Sequence, residues 1–91
     1  MMNKRAIIQV YGSVQGVFFR AFVLEKAKDL GLVGWVTNKP NGIVNILAEG
    51  DENSLKKLIQ YCQSGPKFAK VDRVEVKWEE AEGEIKNFVI K

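Results

Sequence analysis

The chain has 91 residues, 46% of them hydrophobic and 27% charged, and 14 Lys and Arg against 11 Asp and Glu leave a net charge of +3. That is room for one domain with a limited core, and its mild basic surplus suits a small anion but is too scattered to form a nucleic-acid-binding arm. There is no histidine and Cys62 is the only cysteine, which excludes Ser–His and Cys–His nucleophile pairs, His-ligated metals and an internal disulfide.

No apolar run is long enough to span a bilayer. The first dozen residues begin basic, but their apolar positions alternate with polar ones and no small-residue cleavage site follows, so a secretory leader is not expected. A lone cysteine fits a reducing compartment, and the cytoplasm is the expected location.

Arg5 to Tyr11 is rich in β-branched residues and predicts a strand that Gly12 interrupts. The loop Gly12-Ser13-Val14-Gln15-Gly16-Val17 follows, and a helix should begin near Phe18 or Phe19 and run to Leu30. Phe19, Val23, Ala27 and Leu30 then share one face at steps of three and four, and Gly31 stops the helix. Leu32 to Asn38 predicts a second strand. Lys39-Pro40-Asn41-Gly42 is a turn, with Pro fixing φ and Asn-Gly supplying positive φ, so Ile43 to Ala48 returns as the third strand of a hairpin that Gly50 ends. Asp51 or Asn53 caps a second helix that runs to Ser64, with Leu55, Leu58, Ile59 and Cys62 as its buried stripe and Gly65-Pro66 as its stop. Arg73 to Trp78 alternates as a fourth strand, a Glu- and Gly-rich turn follows, and Ile85 to Ile90 makes a short last strand whose neighbour the pattern leaves open. With no linker and no repeat, residues 1–91 read as a single α+β domain. The order is β-α-β-β-α-β with one extra strand: a ferredoxin-like sandwich, two helices on one face of an antiparallel sheet of about five strands. The fold itself carries no function.

The segment Tyr11 to Arg20 carries the chemistry. A glycine-punctuated loop joining a strand to a helix N-terminus presents free N–H groups and the positive end of the helix dipole. Glycines let successive N–H groups curl toward one point, so the place suits a phosphate. Arg20 falls in the first helical turn, where a cation is mildly unfavourable unless an anion sits between it and the helix end. Its planar fork suits two phosphate oxygens. A Walker A loop is excluded because Val17, not Lys, follows Gly16, and the dinucleotide pattern fails because only Gly12 and Gly16 are present. Loop shape alone describes equally well a plain strand–helix connection with Arg20 on the surface.

Gly12-x-Val14-Gln15-Gly16-Val17-x-Phe19-Arg20 resembles the acylphosphatase signature. Gly34-Trp35-Val36-Thr37-Asn38 followed by Lys39-Pro40-Asn41-Gly42-Ile43-Val44 resembles that family's second signature, and Gly50 falls where the pattern expects glycine. The two segments stand in the right order on the right topology, and the resemblance spans essentially the whole chain. It implies the ferredoxin-like fold and hydrolysis of acyl phosphates to carboxylate and phosphate without cofactor or metal. It assigns phosphate binding to the backbone of Ser13, Val14, Gln15, Gly16, Val17, Phe18, Phe19 and Arg20 and to the Arg20 side chain, and orientation of the attacking water to Asn38. A non-catalytic anion-binding module of the same fold is the alternative, since acylphosphatase-like domains also occur inside larger maturation proteins. Ser13 stands where family members often carry a basic residue, and Phe18 where the residue is more often small. The expected partner is a small acyl phosphate, with the chain a monomer that binds neither membrane nor nucleic acid.

Other chemistry-bearing residues read as structural. Thr37 is a strand Thr, Lys39 a solvated turn residue, and Trp35 and Trp78 packing residues. The third strand has no aromatic, so the base-stacking platform of RNA-reading relatives of this fold is missing. Cys62 lies on an apolar stripe as an inert thiol. Ser13 has no base beside it, and Glu79 to Glu84 reads as a solvated turn.

Overall fold

The computed structural model describes residues 3–91; Met1 and Met2, at the head of the segment considered as a leader, lie outside the described residues. In chain order the elements are β1 (Lys4–Ser13), α1 (Phe19–Asp29), β2 (Val33–Asn38), β3 (Val44–Gly50), α2 (Glu52–Ser64), β4 (Lys70–Glu80) and β5 (Phe88–Ile90).

Strand alternation decides which side of the sheet the helices cover. In β1 the even positions Ala6, Ile8 and Val10 are fully buried. Antiparallel β3 sets Ala48, Ile46 and Val44 opposite them, and β2 continues the same rows with Gly34, Val36 and Asn38. Phe19, Val23 and Ala27 of α1 and Leu55, Leu58 and Cys62 of α2 close over this face. Each fully buried Leu, Ile, Val or Phe among them contributes about 1.5–3 kcal/mol of transfer free energy. Leu30 and Ile59, expected on the same stripes, are only half-buried. Trp78 also departs from the expectation of a packed residue: at the outer end of its row it is 42% exposed, because no strand lies beyond β4 to cover it.

The five strands lie in the order β4-β1-β3-β2-β5. The expected antiparallel sheet is corrected in one place: β5 pairs with β2 in parallel, Gly34 beside Phe88 and Val36 beside Ile90. The cause is the route of the chain. β4 and β5 are the two outermost strands, and the segment joining them stays at one end of the sheet, so β5 starts at the end where β2 also starts. Four strand spacings are about 19 Å, and the chain from Glu80 to Phe88 reaches at most about 29 Å, so the crossing has little slack.

Glu49 catches this crossing near its middle. It sits on β3, the central strand, and is 2% exposed. Its carboxylate accepts the Glu82 N–H at 3.1 Å and the Gly83 N–H at 3.2 Å, and the Arg5 guanidinium donates to it at 2.8 Å while also reaching the Glu82 carboxylate at 3.3 Å. Burial pushes the Glu49 carboxyl upward, but the two N–H bonds and the Arg5 charge outweigh it and hold the group below its ordinary range. The stretch Glu79 to Glu84 is therefore not a solvated turn throughout. Glu79 and Glu80 belong to β4, and Glu82 is part of this clasp.

The other sheet end holds the loops between β1 and α1 and between β2 and β3. A bulge between Tyr11 and Gly12 shifts the β1–β4 register, so that Tyr11 faces Arg73 but Gly12 faces Val71. Gly12 has φ +132°, and a Cβ there would collide with the Lys70 carbonyl oxygen. Only glycine fits, and the bulge turns the chain out of the sheet toward α1.

Candidate active site

The two helices end differently at their N-termini. In α2 the Asp51 carboxylate accepts from the Asn53 N–H at 3.1 Å and the Ser54 N–H at 3.3 Å, with Glu52 in the first turn. Asp51, not Asn53, is the cap. In α1 the N-cap position is Phe18, no side chain caps the helix, and the first turn holds no acidic residue. Phe22 N–H donates to the Phe18 carbonyl at 3.0 Å. From Val14 to Ala21, no N–H group donates to a backbone or side-chain acceptor among the described residues. An entire loop and helix start thus carry unpaired donors, which a folded chain leaves open only to solvent or to a ligand.

A cavity of about 290 Å³ opens on these groups, lined by Val14, Gly16, Phe18, Phe19, Arg20, Ala21, Asn38 and Ile90. Arg20 makes no ion pair with any carboxylate among the described residues, and no lining residue is acidic. Asn38 ends β2 in the helix-facing row and is part of the cavity lining. Its Oδ1 is buried with no hydrogen-bond partner among the described residues. A buried amide oxygen without a donor costs about 1–3 kcal/mol.

Phe18 has φ +61° and ψ +23°, the left-handed region, and is the only non-glycine residue there among those described. Its ring is 83% exposed at the cavity mouth. The position favours a residue without a bulky Cβ substituent.

Of the residues singled out in the sequence, Val14, Gly16, Phe18, Phe19, Arg20 and Asn38 line one cavity. Ser13, Gln15 and Val17 do not. Ser13 is the last residue of β1, beside Lys70, rather than part of the loop, Val17 packs on the core, and the Gln15 side chain turns to the β2–β3 turn, donating from Nε2 to the carbonyls of Lys39 at 2.8 Å and Ile43 at 3.1 Å. Ile90 and Ala21 were not singled out. Ala21 follows Arg20 on the helix, a signal available in the sequence, but Ile90 arrives through the parallel pairing of β5, which no local pattern announces. Thr37 points away, with its hydroxyl donating to the Lys91 carbonyl at 3.3 Å, as a strand Thr does. Among the described residues no group of three or more His, Cys, Asp or Glu could hold a metal, and no helix is long and apolar enough to cross a membrane.

Comparison with known proteins gives the family. The family model described as Acylphosphatase covers residues 6–90. The chain belongs to the acylphosphatase family. It is 48% identical over 83 residues to the acylphosphatase of Thermococcus kodakarensis, covering 91% of each chain. The crystal structure of acylphosphatase from Bacillus subtilis superposes with a TM-score of 0.94 at 39% identity, covering 97% of this chain and 98% of that one. Thermococcus kodakarensis HypF contains a similar unit, TM-score 0.83 at 34% identity over 97% of this chain but only 12% of that one.

Proposed function

We propose that the chain hydrolyses acyl phosphates, with the β1–α1 loop and Arg20 binding the phosphoryl group and Asn38 holding the attacking water. The observation that carries this reading is the run of unpaired N–H groups and an unpaired guanidinium on one cavity whose lining also includes Asn38.

An acyl phosphate is already activated, because a carboxylate leaves readily. The phosphoryl group passes through a loose transition state whose charge lies on its equatorial oxygens, so catalysis is mostly positioning and electrostatic stabilisation. Loop N–H groups and the bidentate guanidinium meet that charge with donors fixed by the fold. The Asn38 amide accepts from the water and directs its oxygen at phosphorus, in line with the departing carboxylate. The O–P bond to water forms as the bond to the acyl oxygen breaks, giving carboxylate and inorganic phosphate. Asn38 is no base at neutral pH, and the cavity holds no carboxylate, so the water's proton passes to a phosphate oxygen. The enzyme works as a monomer in the cytoplasm, and nucleic acid is not a partner.

The test is hydrolysis of benzoyl phosphate followed by absorbance in EDTA, with inorganic phosphate as competitive inhibitor. Arg20→Gln should lose about 10³–10⁵ in rate. Asn38→Ala should lose about 10²–10³ in kcat while phosphate inhibition stays close to wild type. Near-normal turnover by Asn38→Ala would refute the water-holding role. A wild type that binds phosphate but does not hydrolyse would make the site an anion-sensing module instead.

A further inference from the structure

The Gln15 side chain stands apart from the cavity and makes an unusual connection. Both of its bonds start from one amide nitrogen, Nε2, and end on the carbonyls of Lys39 at 2.8 Å and Ile43 at 3.1 Å. These are the two carbonyls that close the turn after Asn38, and each already has a partner within the turn. The Gly42 N–H donates to Lys39 at 3.1 Å, and the Lys39 N–H donates to Ile43 at 2.8 Å. The turn is thus closed without Gln15. What Gln15 adds is a tie between two segments that the sheet does not join at this height. The β1–β3 pairing ends at Val10 and Val44, and the β2–β3 pairing ends at Asn38 and Val44. Beyond those rows the loop carrying the unpaired N–H groups and the turn following Asn38 leave the sheet separately. Among the described residues no other side-chain hydrogen bond joins residues 13–20 to residues 38–43.

From this geometry we infer that Gln15 is a positioning residue: its amide fixes the residue after Asn38 to the phosphate loop and so sets the distance from the Asn38 amide to the bound phosphoryl group. The inference rests on the water-holding role of Asn38. A phosphoryl group held by loop N–H groups and Arg20 is registered to the loop, whereas a water held by Asn38 is registered to β2. In-line attack needs the two in one frame, and a misplacement of about 1 Å costs on the order of a hundredfold in rate. Loosening the tie should therefore reduce turnover without loosening the anion.

The test is a double-mutant cycle on the full chain, with four proteins: wild type, Gln15→Met, Asn38→Ala and the double variant. Met matches Gln in length and offers no donor. Both carbonyls keep their turn partners, so the variant should fold, and its melting temperature checks that. Gln15→Met should lower kcat for benzoyl phosphate about tenfold to a hundredfold and leave the inhibition constant of inorganic phosphate close to wild type, since an interaction that matters only in the transition state is lost from kcat and not from ground-state binding. The double variant should be no slower than Asn38→Ala alone, because two residues that act as one unit are not additive. The inference is overturned if the inhibition constant rises as much as kcat falls, which would place Gln15 in shaping the anion cradle. It is equally overturned if the double variant loses the product of the two single factors. Should Gln15→Met not fold, Gln15→Asn, whose amide falls one methylene short of the two carbonyls, is read in the same cycle by the same criteria. The Asn38→Ala protein by itself reads the underlying role. If it retains normal turnover the water-holding reading fails and this inference with it, whereas a slow Asn38→Ala combined with additive losses overturns Gln15 alone.

Discussion

Phe18 gives the sharpest check on the backbone geometry of the site. At φ +61° it holds a conformation that costs an ordinary L-residue about 1–2 kcal/mol, and that Asn adopts far more readily. The ring returns little in exchange. With 83% of the residue exposed, the one-sixth that is covered contributes on the order of 0.3–0.5 kcal/mol out of the 1.5–3 kcal/mol of full burial. Phe18→Asn should therefore stabilise the fold by about 1 kcal/mol, which for a domain of this size raises the melting temperature by about 4–8 °C. Capping does not explain such a gain, because cap side chains accept from the first turn when their residue has β-region dihedrals, and Phe18 does not. Phe18→Gly relieves the strain more completely but adds about 0.5–1 kcal/mol of unfolded-chain freedom, so it should fall between Phe and Asn. Phe18→Val should lower stability by about 1 kcal/mol, since a β-branched residue tolerates this region least. Urea unfolding followed by tryptophan fluorescence, with the slope checked for constancy, measures all three. Asn and Val variants that lose stability to the same extent would refute the reasoning, for they would show that the ring's contacts and not the backbone set the energetics.

Two further predictions concern groups far from the cavity. Glu49 has a folded pKa below its unfolded value near 4.3, so its contribution is complete above that value and is lost as pH falls through the folded one. Glu49→Gln should cost about 2–4 kcal/mol at pH 7, since Arg5 loses its nearest and most buried carboxylate and keeps only Glu82 and Glu79, and should flatten the acid limb of a plot of urea midpoint against pH; an unchanged limb would contradict the assignment. Cys62 is fully buried, and burial pushes its thiol up to about 12, so it should resist a disulfide reagent in the native state and react at the rate of unfolding, whereas rapid native labelling would contradict its place on the inner face of α2.

The elements were legible wherever one pattern acts alone. Alternation in β1 and the three-four spacing of Phe19, Val23 and Ala27 each fix a buried face from local sequence, and the structure keeps them. The loop was legible for a different reason: glycines between a strand and an uncapped helix leave donors unpaired, and Arg20 follows at the place where an anion offsets its own repulsion from the helix end. What stayed hidden depends on residues distant in sequence. Neither the parallel pairing of β5 nor the entry of Ile90 into the cavity follows from its three residues, which carry no information about whether the chain crosses at one end or returns. Ser13 belongs to the strand and not to the loop because the bulge at Gly12 lets β1 continue against Lys70 beyond the glycine that the local pattern makes its end. Gln15 looked like one more loop residue because its partners are carbonyls 24 and 28 positions away.

The two ends of the sheet do opposite things with the same resource. At one end, carboxylate and guanidinium are used up internally: Glu49 satisfies two N–H groups of the crossing segment and Arg5 satisfies Glu49. At the other end, the N–H groups of a loop and helix start and a guanidinium of the same chemistry are left unpaired. Donors left open to solvent do not tie the loop down as internal hydrogen bonds would, and a site that leaves them so must be held in shape by the rest of the fold. The crossing segment supplies part of that support, because β5 reaches the cavity only after its chain has passed the Glu49 clasp, and β5 carries Ile90 into the wall beside Asn38. The clasp thus stabilises the strand that lines the site at the opposite end, which is why a buried ion pair with no contact to the cavity belongs to the same design as the cavity itself.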